Sequence, residues 1–296
     1  MYRLANFFHL NLRARTGTLQ FCGADPLPSL VFDRLSGPPL YNEANKRMTS
    51  APALEIRVLK EFDEFTEAVR LQSEIWGFRD IELLPRRLFI VASKIGGQTL
   101  GAFDGDRMVA FCLCIPGIKS GGKSYLHSHM LGVLPHYRNT GIGRKLKLEQ
   151  REFALKSGVE LIEWTFDPLE IKNAFFNIER LGVIVRRYVH NQYGTTSSLL
   201  HGGLPTDRLT AEWWIQSPRV EAICARTPFE RSPAQARISV PSDISELRKH
   251  QREQAREIQI SIGEQFEQHF RSGLAVIGFE TSSDAGTYLL GQWESR

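Results

Sequence analysis

Leu131-Gly-Val-Leu-Pro-His-Tyr-Arg-Asn-Thr-Gly-Ile-Gly-Arg-Lys-Leu146 is the stretch whose reading decides the fold. It begins as the apolar end of a strand, stops at Pro135, and passes through two glycines one residue apart into an amphipathic basic helix. A strand that yields through glycine to a helix N-terminus gathers several unpaired N–H groups at one point. The helix dipole adds about half a positive charge there. Gly141 and Gly143 lack a Cβ, so an anion can approach the main chain closely. The pattern predicts a pyrophosphate cradle.

Spacing decides which pyrophosphate. A dinucleotide fingerprint needs a third glycine where this chain has Leu146, and a Walker loop needs Gly-Lys-Ser/Thr, which is absent. The segment resembles motif A of the GNAT N-acetyltransferases, Arg/Gln-x-x-Gly-x-Gly/Ala, with Arg138, Gly141 and Gly143 in its three defining places. Downstream, residues 161–168 read as a strand closed by Pro168, 173–181 as a short helix ended by Gly182, and 183–185 as a new strand. That order is similar to the family's motif B.

The resemblance implies an α/β fold, a GNAT-like mixed, mostly antiparallel sheet flanked by helices; the residues beyond it, which the resemblance does not cover, read as a smaller C-terminal α/β extension. The resemblance also implies acetyl-CoA as acyl donor and transfer of the acetyl group to an amine of a small molecule or peptide. The coenzyme would be gripped by Leu131, Val133, Arg138, Asn139, Thr140, Gly141, Ile142, Gly143 and Arg144, and on the following helix by Asn173 and Asn177, with Phe176 against the pantetheine. Arg144, Lys145, Lys147 and Arg151 form a basic run. Such a run ordinarily marks a solvated face, but cations in a helix's first turn oppose its dipole, which points Arg144 and Lys145 toward an anion.

At 296 residues the chain is longer than one such domain. We expect residues 1–53 to be a poorly ordered extension, Arg-rich and acid-poor at its start, or the product of a mis-assigned start preceding Met48; a transit peptide is the alternative. Residues 54–217 are expected to form the acyl-CoA-binding domain and 218–296 the extension. Within the first, 55–59 reads as a strand, 62–76 as a helix, 98–103 and 108–115 as a hairpin around Asp104-Gly105-Asp106, and 124–133 as the strand entering the loop. Within the second, 218–233 reads as a proline-punctuated connector. Ile244, Leu247, Gln251, Ala255, Ile258, Ile262, Phe266 and Phe270 predict one long amphipathic helix, followed by strands at 274–279 and 288–293. Its stripe is expected to pack on the core; a homodimer surface or a substrate lid is the alternative.

Composition excludes several classes. No apolar run approaches the roughly eighteen residues of a membrane span, and a net charge of +4, with 33 acids interspersed among 37 bases, gives no case for nucleic acid as partner. Cysteines at 22, 112, 114 and 224 have neither redox nor zinc spacing, so no metal is expected and the compartment reads as reducing and cytoplasmic.

Acetyl transfer to an amine has a defined difficulty: with a pKa of about 10.4, populating the free base at neutral pH costs about 4 to 5 kcal/mol. A base must take that proton. His127 and His129 share a strand face with Tyr125, and histidine has a suitable pKa. Asp167 shares a strand face with Glu163 and sits at its strand's C-terminal end, where α/β sites gather. Each of these candidates can equally be a hydrogen-bonded structural residue. Where many relatives carry a tyrosine four residues before the Leu-Gly glycine, as an acid for the departing thiol, this chain has Ile178. That departure keeps open a catalytically silent acyl-CoA-binding relative; a basic interaction protein on the same fold is a third reading.

Overall fold

The computed structural model describes residues 54–194 and 203–293, so the reading of residues 1–53 lies outside the described residues. The described segments belong to one compact unit, Ser50–Arg296. Strand β1 (Glu55–Val58) leads to helix α1 (Phe62–Trp76), which opens on a capping box in which Glu61 N donates to Glu64 Oε2 at 3.0 Å. It ends at Gly77, which takes the left-handed conformation that closes a helix (φ +69°). Helix α2 (Arg86–Lys94) follows Pro85 and buries Phe89 and Ala92. Sequence reading passed over α2, because its Arg86-Arg87 start looks like loop and its buried stripe is only two turns long.

Strands β2 (Gln98–Asp104) and β3 (Arg107–Ile118) form the expected hairpin, and β4 (Ser124–Val133) runs into the glycine loop and helix α3 (Ile142–Lys156). Next come β5 (Leu161–Phe166), α4 (Ile171–Phe175) continuing into a wide π turn at Phe176–Arg180, β6 (Ile184–Val189) and β7 (Arg208–Trp214). The remainder is α5 (Pro218–Ala225), β8 (Ala236–Pro241), α6 (Ile244–His250), α7 (Arg252–Arg271), β9 (Ala275–Thr281) and β10 (Ala285–Gly291).

The ten strands of the described residues join one sheet in the order β1-β2-β3-β4-β5-β7-β6-β9-β10-β8. Pairing is antiparallel throughout except between β4 and β5. The mixed, mostly antiparallel sheet flanked by helices is thus the one the loop implies. The C-terminal strands continue it through Val185 opposite Val276. One core, including Phe65, Leu71, Phe89, Phe111 and Leu146, fills the β2–β4 end. The other runs from Trp164 and Trp213 to Phe266, Phe279 and Tyr288, whose rings meet edge to face, with centroids 5.0 and 4.7 Å from Tyr288.

Two expectations for the last eighty residues are corrected. The connector at 218–233 contains α5, because Ser217 caps it by accepting from Val220 N and Pro218 occupies the first turn, where a missing N–H costs nothing. The long helix is two helices, α6 and α7, broken at Gln251 (φ −138°, ψ 62°). Periodicity could not detect the break, since one extended residue leaves Leu247 and Ala255 buried on the same side. Among the described residues no helix is long and apolar enough to cross a membrane, and no group of His, Cys, Asp or Glu could hold a metal ion.

Candidate active site

The loop after β4 has the form of an anion nest. Asn139 (φ +64°) and Gly141 (φ +88°) are both left-handed, and the alternation turns consecutive N–H groups toward one side. Among the described residues no acceptor is hydrogen-bonded to the amides of residues 139–144; the first amide of this stretch with an internal partner is Lys145 N, to Gly141 O at 3.0 Å. The loop is braced from outside: Thr140 Oγ1 donates to Tyr137 O at 2.7 Å, and Tyr137 OH to Asp104 Oδ2 at 2.6 Å. Arg138 rests its Nε on Val133 O at 3.2 Å and is otherwise exposed. A Cβ added at Gly141 would meet nothing within 4 Å, and one at Gly143 would lie 3.7 Å from Leu131 and 3.9 Å from Phe176. Leu131, Gly143 and Phe176 therefore line one wall, and Ile142 is buried beneath it.

Two of the residues expected at the coenzyme are engaged elsewhere. Arg144 donates to Arg180 O (3.4 Å) and Ile223 O (3.3 Å), so its charge faces the carbonyl ends of the π turn and α5. Asn177 is buried, accepting from Trp164 Nε1 at 3.2 Å and donating to Asn173 Oδ1 at 3.3 Å. Asn173 itself is exposed.

β4 and β5 are in register at only two positions, Leu126 opposite Ile162 and His127 opposite Glu163. Beyond these the strands part. Just there β4 also bulges, with Cys114 facing Ser128 but Leu113 facing Met130, so His129 is the extra residue. The His127 and His129 rings lie 5.7 Å apart, on the one face where ordinary strand pleating also puts both. Burial and the neighbouring cations push His127 down to about 4, and burial lowers His129 from its ordinary value. Both rings are therefore neutral near pH 7.

Asp167, the third candidate, does not join them. Its carboxylate accepts from Leu169 N at 2.9 Å and from Arg248 Nη2 at 2.7 Å, both deep in the protein. On the histidine face the structure instead brings Glu163, which sequence reading weighed only as Asp167's strand-mate. Glu163 is 5% exposed and held by Arg187 (2.6 Å) and Lys119. Farther along the parting strand, Thr165 Oγ1 meets Tyr193 OH at 3.1 Å. No sequence signal marked Lys119 or Arg187, because they reach the site from a hairpin tip and from a strand two places away in the sheet. Where relatives carry a tyrosine, Ile178 is fully buried.

On the opposite face lies a buried amine. Lys147 is 2% exposed; its Nζ donates to Ser128 Oγ and Gln150 Oε1 (both 3.0 Å) and sits 3.4 Å from the Trp164 ring centroid. No carboxylate among the described residues is bonded to it, and burial pulls its pKa down to about 8. Since the unfolded chain then binds a proton that the folded one lacks, stability should rise as pH climbs from about 8 toward 10.5. Lys147→Met should abolish that rise and raise the melting temperature at pH 7. Comparing melting curves of the two proteins isolates the lysine from Cys112 and Cys114, whose buried thiols are pushed up to about 11 and 12 and act in the opposite sense. Equal slopes would show that the amine is not desolvated.

With this geometry in hand, comparison with known proteins is specific. Residues 57–182 match the acetyltransferase (GNAT) family model. This segment, from β1 to the Leu181-Gly182 turn, is a GNAT acetyltransferase domain. No curated protein sequence matches the chain. Similar solved structures include Naa50 of Arabidopsis thaliana with a bisubstrate analogue (17% identity, 54% of this chain and 97% of that one, TM-score 0.43). The Escherichia coli ribosomal-protein-S18-alanine N-acetyltransferase is another (16%, 55% and 95%, 0.44). A third is yncA, a putative acetyltransferase of Salmonella typhimurium with acetyl-CoA (12%, 57% and 99%, 0.45).

Proposed function

We propose that the chain is an N-acetyltransferase that takes an acetyl group from acetyl-CoA and delivers it to an amine of a small molecule or peptide. The observation that carries this reading is the run of amides at 139–144, free of acceptors among the described residues and set beside a parallel strand pair that parts after His127 and Glu163. Those amides and Arg138 would hold the diphosphate, Leu131, Val133 and Phe176 the pantetheine wall, and Asn173 the nearby helix edge. The coenzyme supplies a thioester whose carbonyl carbon the amine attacks.

The chain's own groups then manage protons and charge. His129, in the bulge and neutral, accepts the amine proton directly or through water. His127 has been made a weak base by its burial, so it is better suited to orient than to accept. The exposed Tyr193, hydrogen-bonded to Thr165 on the parting strand, is a hydroxyl available to the departing thiol. A second reading, a relative that binds the coenzyme without turnover, is favoured by the buried Ile178 in the usual acid's place.

Thiol release from acetyl-CoA in the presence of an amine panel separates the two. We expect release, with an acid limb in kcat/KM whose midpoint lies below 6.5, since burial lowers His129. His129→Ala should cut kcat by about 10²-fold, the usual contribution of a positioned base, and remove the limb. Binding of acetyl-CoA without release by any amine would favour the silent reading.

A further inference from the structure

On the histidine face, β5, β7 and β6 form a groove of about 400 Å³ over Glu163 and Glu212, lined by Lys119, Leu161, Glu163, Arg186, Arg187, Glu212 and Trp214. Strand register fixes its floor. Glu163 lies opposite Glu212 on β7 and opposite His127 on β4, so the groove abuts the imidazoles. Both glutamates are nearly dry, at 5% and 4% exposure, and buried carboxylates need partners.

The partners are more numerous than the floor requires. Arg186 holds Glu212 with two bonds (2.5 and 3.2 Å) and lies over the Trp293 ring, its guanidinium carbon 5.0 Å from the centroid. Glu163 receives both Arg187 and Lys119. Three cations thus face two carboxylates. Arg187 spends one of five N–H donors on Glu163, and its side chain is half-exposed at the rim. Lys119 keeps donors too, its ammonium 4.5 Å above the Tyr125 ring.

A cationic fork held rigid by a dry carboxylate, with spare donors over an open groove, is suited to an anionic oxygen group. We infer that this groove is the acceptor subsite and that the acceptor is an amine carrying such a group, a carboxylate or a phosphate, bound by Arg187 and Lys119 while its amino end reaches His127 and His129. This rests on the acetyl-transfer reading. The groove does not provide a cation site, because both of its carboxylates are already neutralised.

Matched probes test it on the full chain saturated with coenzyme A: phenylalanine against phenethylamine, and phosphoethanolamine against ethanolamine, by calorimetry and, with acetyl-CoA, by thiol release. At least one acid-bearing probe should bind 10-fold or more tightly than its partner without the acid group, and the pair that responds names the anion. Arg187→Ala should erase that preference, Arg187→Lys should restore part of it, and affinity for acetyl-CoA should not change. Lys119→Ala provides a second, independent variant should Arg187→Ala fail to fold. Equal binding within both pairs, no binding of any probe while acetyl-CoA binds, or a preference surviving both alanine variants would overturn the inference. Loss of acetyl-CoA binding in the unaltered protein would instead sink the acetyl-transfer reading beneath it.

Discussion

Replacing Gly141 with valine is expected to weaken acetyl-CoA binding by about 100-fold while leaving the protein folded. The residue sits at φ +88°, where a β-branched side chain costs about 1 to 2 kcal/mol. An added Cβ would meet no neighbour within 4 Å, so the strain cannot be blamed on packing. It can be relieved only by turning the backbone, and turning the backbone scatters the amides of residues 139–144. Losing two charge-assisted hydrogen bonds, at about 1.5 to 3 kcal/mol each, accounts for at least that change in affinity. Gly105→Val is the matched control: it imposes comparable strain (φ +59°) in the β2–β3 turn, with nothing within 4 Å of its Cβ. Calorimetry should show coenzyme affinity intact in that variant. Equal loss in both would mean the effect is general destabilisation.

Asp167→Ala is expected to cost about 3 to 5 kcal/mol of stability, the usual penalty for stripping a buried ion of its partner. The side chains of Asp167 and Arg248 are 7% and 4% exposed and meet at 2.7 Å. Arg248 belongs to α6 and Asp167 follows β5, so this pair ties the C-terminal helices to the strand beside the cleft. Glu170 also bonds Arg248, at 2.8 Å, but its side chain is about a third exposed and cannot replace a dry carboxylate. The melting temperature should fall by about 10 °C, at about 2 to 4 °C per kcal/mol for a unit of this size. Asp167→Ala/Arg248→Met should recover most of it. If Asp167 were instead the catalytic base, Asp167→Asn would abolish kcat with little change in melting; we expect the stability loss and a nearly unchanged kcat below the transition.

The contrast between Gly141 and Asp167 shows what sequence can carry. The loop was legible because its chemistry is local: glycines, a helix start and an arginine within six residues determine a backbone shape without outside help. The order of strands from β1 to β6 was legible for the same reason. The ion pair of Asp167 was not legible because its partner Arg248 stands eighty-one positions away, and nothing in a linear pattern announces that pairing. Arg144 misled for a related reason. The helix dipole pointed this cation toward an anion, whereas the partners it has are the carbonyls of Arg180 and Ile223, supplied by elements far away in the sequence. The charged groove was invisible, since Lys119, Glu163, Arg187 and Glu212 converge only once β5, β6 and β7 lie side by side. His127 and His129 fell between these cases: alternation placed them on one face, but the bulge at His129 is a feature of strand pairing that alternation does not show.

A crystal structure of the protein with coenzyme A bound would show whether the glycine loop holds the diphosphate. The diphosphate oxygens are expected within hydrogen-bonding distance of the amide nitrogens between Asn139 and Arg144, with the pantetheine running past Leu131 and Phe176 toward His129. A diphosphate seated anywhere else, or those nitrogens turned away from it, would contradict the account.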